Sequence, residues 1–208
     1  MTEIGIEFSE QMHFFSTGSN NEAFRQFAPN GRVPCLINNN NESTQTVWDS
    51  LAIIEYLAEH HANVWPLARD ARTWARCAAA EMHSGFGNVR TNCPMNVSAR
   101  FAMNDISGSF KAEIKRIDEL WVDGLSRFEG PFLAGSTFSA VDAFFAPVVF
   151  RVQSYGLPVS ERSAQYIQAM LELNGMQSWV AAALKEPAEP NHEADCVLQA
   201  SLLTDLRM

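Results

Sequence analysis

Gly31-Arg32-Val33-Pro34-Cys35-Leu36 and, past a run of four asparagines at 38–41, Val47-Trp48-Asp49-Ser50-Leu51-Ala52-Ile53-Ile54-Glu55-Tyr56-Leu57 decide how this chain folds. Residues 33–38 and 45–48 are short β-branched and apolar runs, and the polar stretch 38–42 between them predicts a hairpin loop, because asparagine tolerates positive φ. At Asp49 the period changes. Leu51, Ile54, Leu57 and Ala58 fall on one face of a helix that runs to His60 or His61. A proline opening the first strand is an ordinary edge device. Asp49-Ser50 before the apolar run is an N-cap signal, and the same helix end, with unpaired N–H groups and the positive end of the dipole, is also an anion site.

Working outward, residues 4–15 place Ile4, Ile6, Phe8, Met12 and Phe14 on even positions. That period of two predicts a half-buried strand at a sheet edge. Residues 16–21 read as a polar turn, and 22–27 as one or two helical turns stopped by Pro29, Asn30 and Gly31. On the other side, Trp65-Pro66-Leu67 reads as a linker. Beyond it one helical stripe joins Ala71, Trp74, Ala75, Ala78, Met82, Phe86 and Val89, and a second joins Phe110, Ile114, Ile117, Trp121 and Phe128. Pro94 and Gly130-Pro131 punctuate them, and 139–151, 163–173 and 176–184 supply three more helices. The acidic, proline-containing segment 187–195 is expected to be loose, and 197–206 to form a short terminal helix. The organisation is a small α/β domain over 1–64 followed by an all-α domain over 65–208, without an internal repeat.

With 208 residues, 47% of them apolar, the chain can bury a proper core. Twenty-four acidic against 15 basic side chains give a net charge of -9, the wrong field for phosphate backbones, so nucleic acid is not an expected partner. No apolar run reaches 18 residues and the first residues do not form a signal peptide, so a soluble cytoplasmic protein with no membrane partner is expected. Cys35, Cys77, Cys93 and Cys196 lie far apart with no CxxC pair, which predicts reduced thiols and no metal site.

The hairpin-and-helix segment resembles the glutathione S-transferase superfamily. The resemblance continues through Glu81-Met82-His83-Ser84-Gly85-Phe86 and Pro94-Met95-Asn96, which look like bacterial enzymes related to the zeta class, the maleylacetoacetate isomerase relatives. It reaches Phe138-Ser139-Ala140-Val141-Asp142 and covers roughly residues 4 to 184. It implies a thioredoxin-like α/β N-terminal domain, followed by an all-α helical-bundle domain. It also implies a cis Val33–Pro34 bond, with the backbone of Val33 pairing with the cysteinyl part of glutathione. Ser50 and its helix end would hold the γ-glutamyl carboxylate, and Asp49 would meet the amino group. The helix carrying His83, Phe86 and Arg90 would wall the pocket for the electrophile. Read alone, His83 is an ordinary solvent-facing or hydrogen-bonded histidine. Ser139 and Asp142 have the spacing of a capping box, a folding element.

A glutathione transferase stabilises the thiolate, the form of the sulfur that attacks an electrophile. In the family the donor is a Ser, Tyr or Cys near the end of the first strand or the start of the first helix. The opening strand here matches the family's second, so that segment would lie before Met1, and none of Ser9, Ser16 or Thr17 matches the catalytic position. No catalytic residue is assigned. The resemblance implies a homodimeric detoxification enzyme that uses glutathione as co-substrate against a small hydrophobic electrophile. The alternative is a non-catalytic binding or interaction module of the same fold.

Overall fold

The structure, a computed structural model, describes residues 1–14, 22–39 and 43–207. Strands β1 (Cys35–Asn39) and β2 (Thr44–Trp48) form the expected antiparallel pair, with Cys35 opposite Trp48 and Asn39 opposite Thr44. Helix α1 (Ser50–His60) follows at once and buries Ile53 and Leu57 against the ribbon and the helical domain. The polar turn read at 16–21 and the tip of the hairpin at 40–42 lie outside the described residues, while Glu22–Gln26 forms a 3-10 turn that buries Phe24.

The opening segment departs from its period-two pattern. Thr2–Ile4 is a 3-10 turn whose Glu3 carboxylate accepts from the Gly175 N–H, Ile6 alone is buried, and Phe8, Met12 and Phe14 are exposed. Alternation gives a strand only where another strand offers its edge, and among the described residues β1 and β2 pair with each other alone.

The second part is helical: α2 (Arg69–Ser84), α3 (Gly87–Asn92), α4 (Gly108–Arg127), α5 (Ala140–Tyr155), α6 (Glu161–Leu171), α7 (Asn174–Ala183) and α8 (Pro190–Cys196). Both predicted stripes are buried, save that Phe128 is only partly covered. Helix α5 is central, burying Val141, Phe145, Val149, Phe150 and Tyr155 with its N-terminal Asp142. Helix α2 packs on it and buries Ala71, Ala75, Ala78 and Ala79, small side chains that permit close approach to neighbouring helices. A Cβ on Gly124 would stand 2.4 Å from Trp74 Cη2, so only glycine lets α4 close on α2 there. The α2 stripe is interrupted at Gly85 and resumes in α3 because Phe86 adopts φ 58°.

Two local readings fail at the C-terminus. Residues 197–206 do not form a helix: β4 (Ala200–Asp205) pairs antiparallel with β3 (Ala99–Met103), a strand hidden among helical segments. Nor is 187–195 loose, since Pro190 opens α8 and the Glu189 carboxylate caps it by accepting from Asn191 and His192 N–H groups. This strap is fastened from inside. His192 Nε2 lies 2.7 Å from the Met95 carbonyl and 3.7 Å from Cys196 Sγ, while the buried Asn96 Oδ1 accepts from Ser98 N–H, Ser98 Oγ and Ala99 N–H. The Cys196 hydrogen bond, with other contributions outweighing burial, lifts His192 to about 9. Burial alone would raise the Cys196 thiol, but donors from His192, Tyr155 and Asn96 outweigh it and hold the thiol below its usual range. All four cysteines are unpaired.

The domains meet at α1 and α2. Glu55 accepts from Trp65 Nε1 at 2.9 Å and from Arg76 Nε and Nη2 at 3.2 and 3.1 Å, with the Arg76 guanidinium 5.5 Å from the Trp65 ring centroid. The ion pair is nearly half exposed, so Arg76→Ala should cost no more than about 1 kcal/mol in urea unfolding. A loss well beyond that would mean the pair is a principal tie between the domains.

Candidate functional site

With Cys35 opposite Trp48, Pro34 and Asp49 step off the same end of the ribbon. The chain enters β1 through a cis Val33–Pro34 bond. Val33, 42% exposed, lies just outside the ladder. The chain leaves β2 through Asp49, which adopts φ 70°, ψ 133°. A non-glycine residue in that region stores about 1 to 3 kcal/mol of backbone strain, which persists where the surroundings fix it and is concentrated at functional sites. Here the Asp49 carboxylate supplies the cap, its Oδ1 accepting from the Leu51 N–H at 3.0 Å. The cap therefore belongs to Asp49, and Ser50, half-buried, is the first residue of the helix proper with its hydroxyl unused by the cap.

One side chain of the helical domain reaches this point. His83, the penultimate residue of α2, places Nε2 3.3 Å from Asp49 Oδ1 and Nδ1 3.5 Å from Ser50 Oγ. Its ring and that of Phe144 of α5 meet edge to face, with centroids 6.2 Å apart at 88°. A third of the His83 side chain and half of the Asp49 side chain remain open to solvent. The structure thus gathers Asp49, Ser50 and His83, with Val33 and Pro34 at the same ribbon end.

The other residues read as pocket wall are placed differently. Phe86 is 7% exposed and belongs to the core. Arg90 is exposed, but its guanidinium donates to the carbonyls of Gly85 and Met82, closing the end of α2. A cleft of about 400 Å³ between α4 and α6, lined among others by Glu129, Arg162 and Tyr166, includes none of these residues. Sequence spacing could not have set His83 beside Ser50, since the two are 33 residues apart and meet only when α2 docks on α1. Among the described residues no group of three or more His, Cys, Asp or Glu could hold a metal ion, and no helix is long and apolar enough to cross a membrane.

Chemically the site offers an exposed carboxylate, a hydroxyl, the N-terminal end of a helix and an imidazole. An acceptor and several donors side by side suit a group that carries an ammonium and a carboxylate on one carbon.

A small α/β unit that presents a site at a helix N-terminus, followed by a helical domain, is the architecture of two-domain thioredoxin-like proteins. Residues 1–60 match the family profile of the glutathione S-transferase N-terminal domain and residues 79–182 that of its C-terminal domain. The chain belongs to the glutathione S-transferase family. Solved structures share the fold. Ure2p in complex with S-hexylglutathione matches with a TM-score of 0.64 at 16% identity, over 86% of this chain and 89% of that one. A glutathione S-transferase of class Gtt2 from Vibrio parahaemolyticus gives 0.56 at 21% identity, over 85% and 86%. A glutathione transferase homolog from Lodderomyces elongisporus, solved with two GSH per subunit, gives 0.58 at 16% identity, over 77% and 80%. No curated protein sequence matches the chain.

Proposed function

We propose that this chain binds glutathione and adds its thiolate to a small hydrophobic electrophile. One observation carries the reading: the N-terminus of α1, with Asp49 and Ser50, opens beside Val33–Pro34 at one end of the ribbon. Glutathione is long enough for its cysteinyl part to lie along the Val33 backbone while its γ-glutamyl end meets Ser50 and Asp49. The binding unit is then residues 1–64 and the helical unit 65–208. Family membership and the glutathione or glutathione conjugates in solved relatives support the binding half. The exposed Arg90 is the proposed contribution of the helical domain to the electrophile's wall. A homodimer, a cytoplasmic location and kinship to zeta-class isomerases are parts of the same proposal.

The second reading, a binding module without thiol activation, has one observation in its favour. Cys35, next in sequence to Val33–Pro34, donates its thiol to the Phe27 carbonyl, and burial pushes that thiol up, so it is no ready donor to a thiolate. Ultraviolet absorbance of the glutathione thiolate as pH is varied, with the chain in excess, separates the readings. A thiol pKa well below that of free glutathione is expected for the transferase. Binding without that shift means a module, and no binding at all overturns both.

A further inference from the structure

Asp49, Ser50 and His83 form a relay with an open end. The His83 ring has both nitrogens occupied: Nε2 faces Asp49 Oδ1 at 3.3 Å and Nδ1 faces Ser50 Oγ at 3.5 Å. The second distance marks a loose contact, one a better acceptor can displace. A neutral imidazole carries a single N–H and serves one of these positions as donor, whereas imidazolium donates from both. Of the other charged groups on α2 and α3, Glu81 is paired with Arg116 of α4 at 2.8 and 2.9 Å, and Arg90 is held by the Met82 and Gly85 carbonyls. Helix α5 presents the Phe144 ring, which carries no charge.

We infer that His83 is a recognition residue for the γ-glutamyl carboxylate, donating from Nδ1 while Asp49 holds Nε2, and that it makes glutathione binding tighten in mild acid. This rests on the glutathione reading and extends it: a residue of the helical domain reads the far end of the ligand, away from the sulfur. The partner chemistry is an α-amino carboxylate whose carboxylate is free. Protonation supplies the second donor, and a charge-assisted hydrogen bond is about twice as strong as a neutral one. By linkage, binding that is tighter to the protonated ring draws a proton onto it.

The test is titration calorimetry with S-methylglutathione, whose sulfur cannot ionise, between about pH 5.5 and 7.5; the Asp142 carboxyl, lifted to about 6, is retained in His83→Gln, so a slope it caused would survive that substitution. Affinity is expected to rise about fivefold toward the acid end for the wild-type chain. It should be flat for His83→Gln and for the wild type with the ligand's γ-glutamyl carboxylate converted to carboxamide. Unfolding curves of His83→Gln matching the wild type exclude a folding artefact. A wild-type affinity that is flat or falls in acid overturns the inference, as does an unchanged slope in His83→Gln, while the glutathione reading survives either result. Absence of S-methylglutathione binding at every pH overturns both.

Discussion

Asp142→Ala is expected to cost about 3 to 5 kcal/mol of stability, well above the 0.5 to 2 kcal/mol typical of a helix cap. The side chain is fully buried at the start of α5. Its Oδ1 accepts from the Leu133 N–H at 3.0 Å and the Tyr166 hydroxyl at 3.3 Å, and its Oδ2 from the Ser139 N–H at 2.9 Å. The capping box is thus one part of a knot joining the turn before α5, the helix itself and α6. Truncation leaves those donors without an acceptor in a dry interior, and burial keeps the Tyr166 phenol protonated and in need of one.

The same group has a pH signature. Burial raises the Asp142 carboxyl from 3.8 to about 6, against the pull of its hydrogen bonds from Leu133, Ser139 and Tyr166. Between those values the native chain binds more protons than the unfolded one, so this contribution is full below about pH 3.8 and is lost as pH rises to about 6. The stability gap between wild type and Asp142→Asn should therefore be wider at pH 4 than at pH 7, by up to about 3 kcal/mol. Urea unfolding at the two pH values checks it. An equal gap would mean the carboxylate does not titrate in the fold, and a loss near 1 kcal/mol for Asp142→Ala would reduce it to a cap.

Ser50→Ala is expected to weaken glutathione binding about 5- to 150-fold, equivalent to about 1 to 3 kcal/mol, through loss of a hydrogen bond to a carboxylate. Stability should change by less than about 0.5 kcal/mol, because the cap hydrogen bond is made by Asp49 and the Ser50 hydroxyl has only its loose contact with His83. Calorimetry with S-methylglutathione and a thermal melt of the same variant separate the two roles. Unchanged affinity would remove Ser50 from the site, and a marked loss of stability with it would return Ser50 to a structural role.

Most of the fold and part of the site were legible along the chain. Hydrophobic periodicity marked β1, β2, α1 and both long helical stripes, since these elements answer to near neighbours: Asn-rich turns, caps at Asp49 and Ser139, and apolar residues three and four apart. Those caps also located the Asp49-Ser50 helix end.

What the sequence could not decide depends on partners distant in the chain. Residues 4–15 alternate as a strand does, yet among the described residues, 4–14 pair with no strand, while the less regular Ala99–Met103 becomes a strand because Ala200–Asp205 lies against it. Asp142 reads as a cap on either an exposed or a buried helix, and only the packing of α6 over it, with Tyr166, sets its energy and its proton affinity. His83 carries no local sign of its place beside Asp49 and Ser50. It joins Asp49 and Ser50 because the alanine face of α2 lets that helix close on α5 while Glu55, Trp65 and Arg76 fix α1 beside it. The sequence by itself thus determined which segments are helices and strands and where their ends offer unpaired groups. The tertiary structure alone decided which of those ends are covered, which charges lose water, and which side chains of the two domains meet, because burial and pairing are properties of the assembled chain.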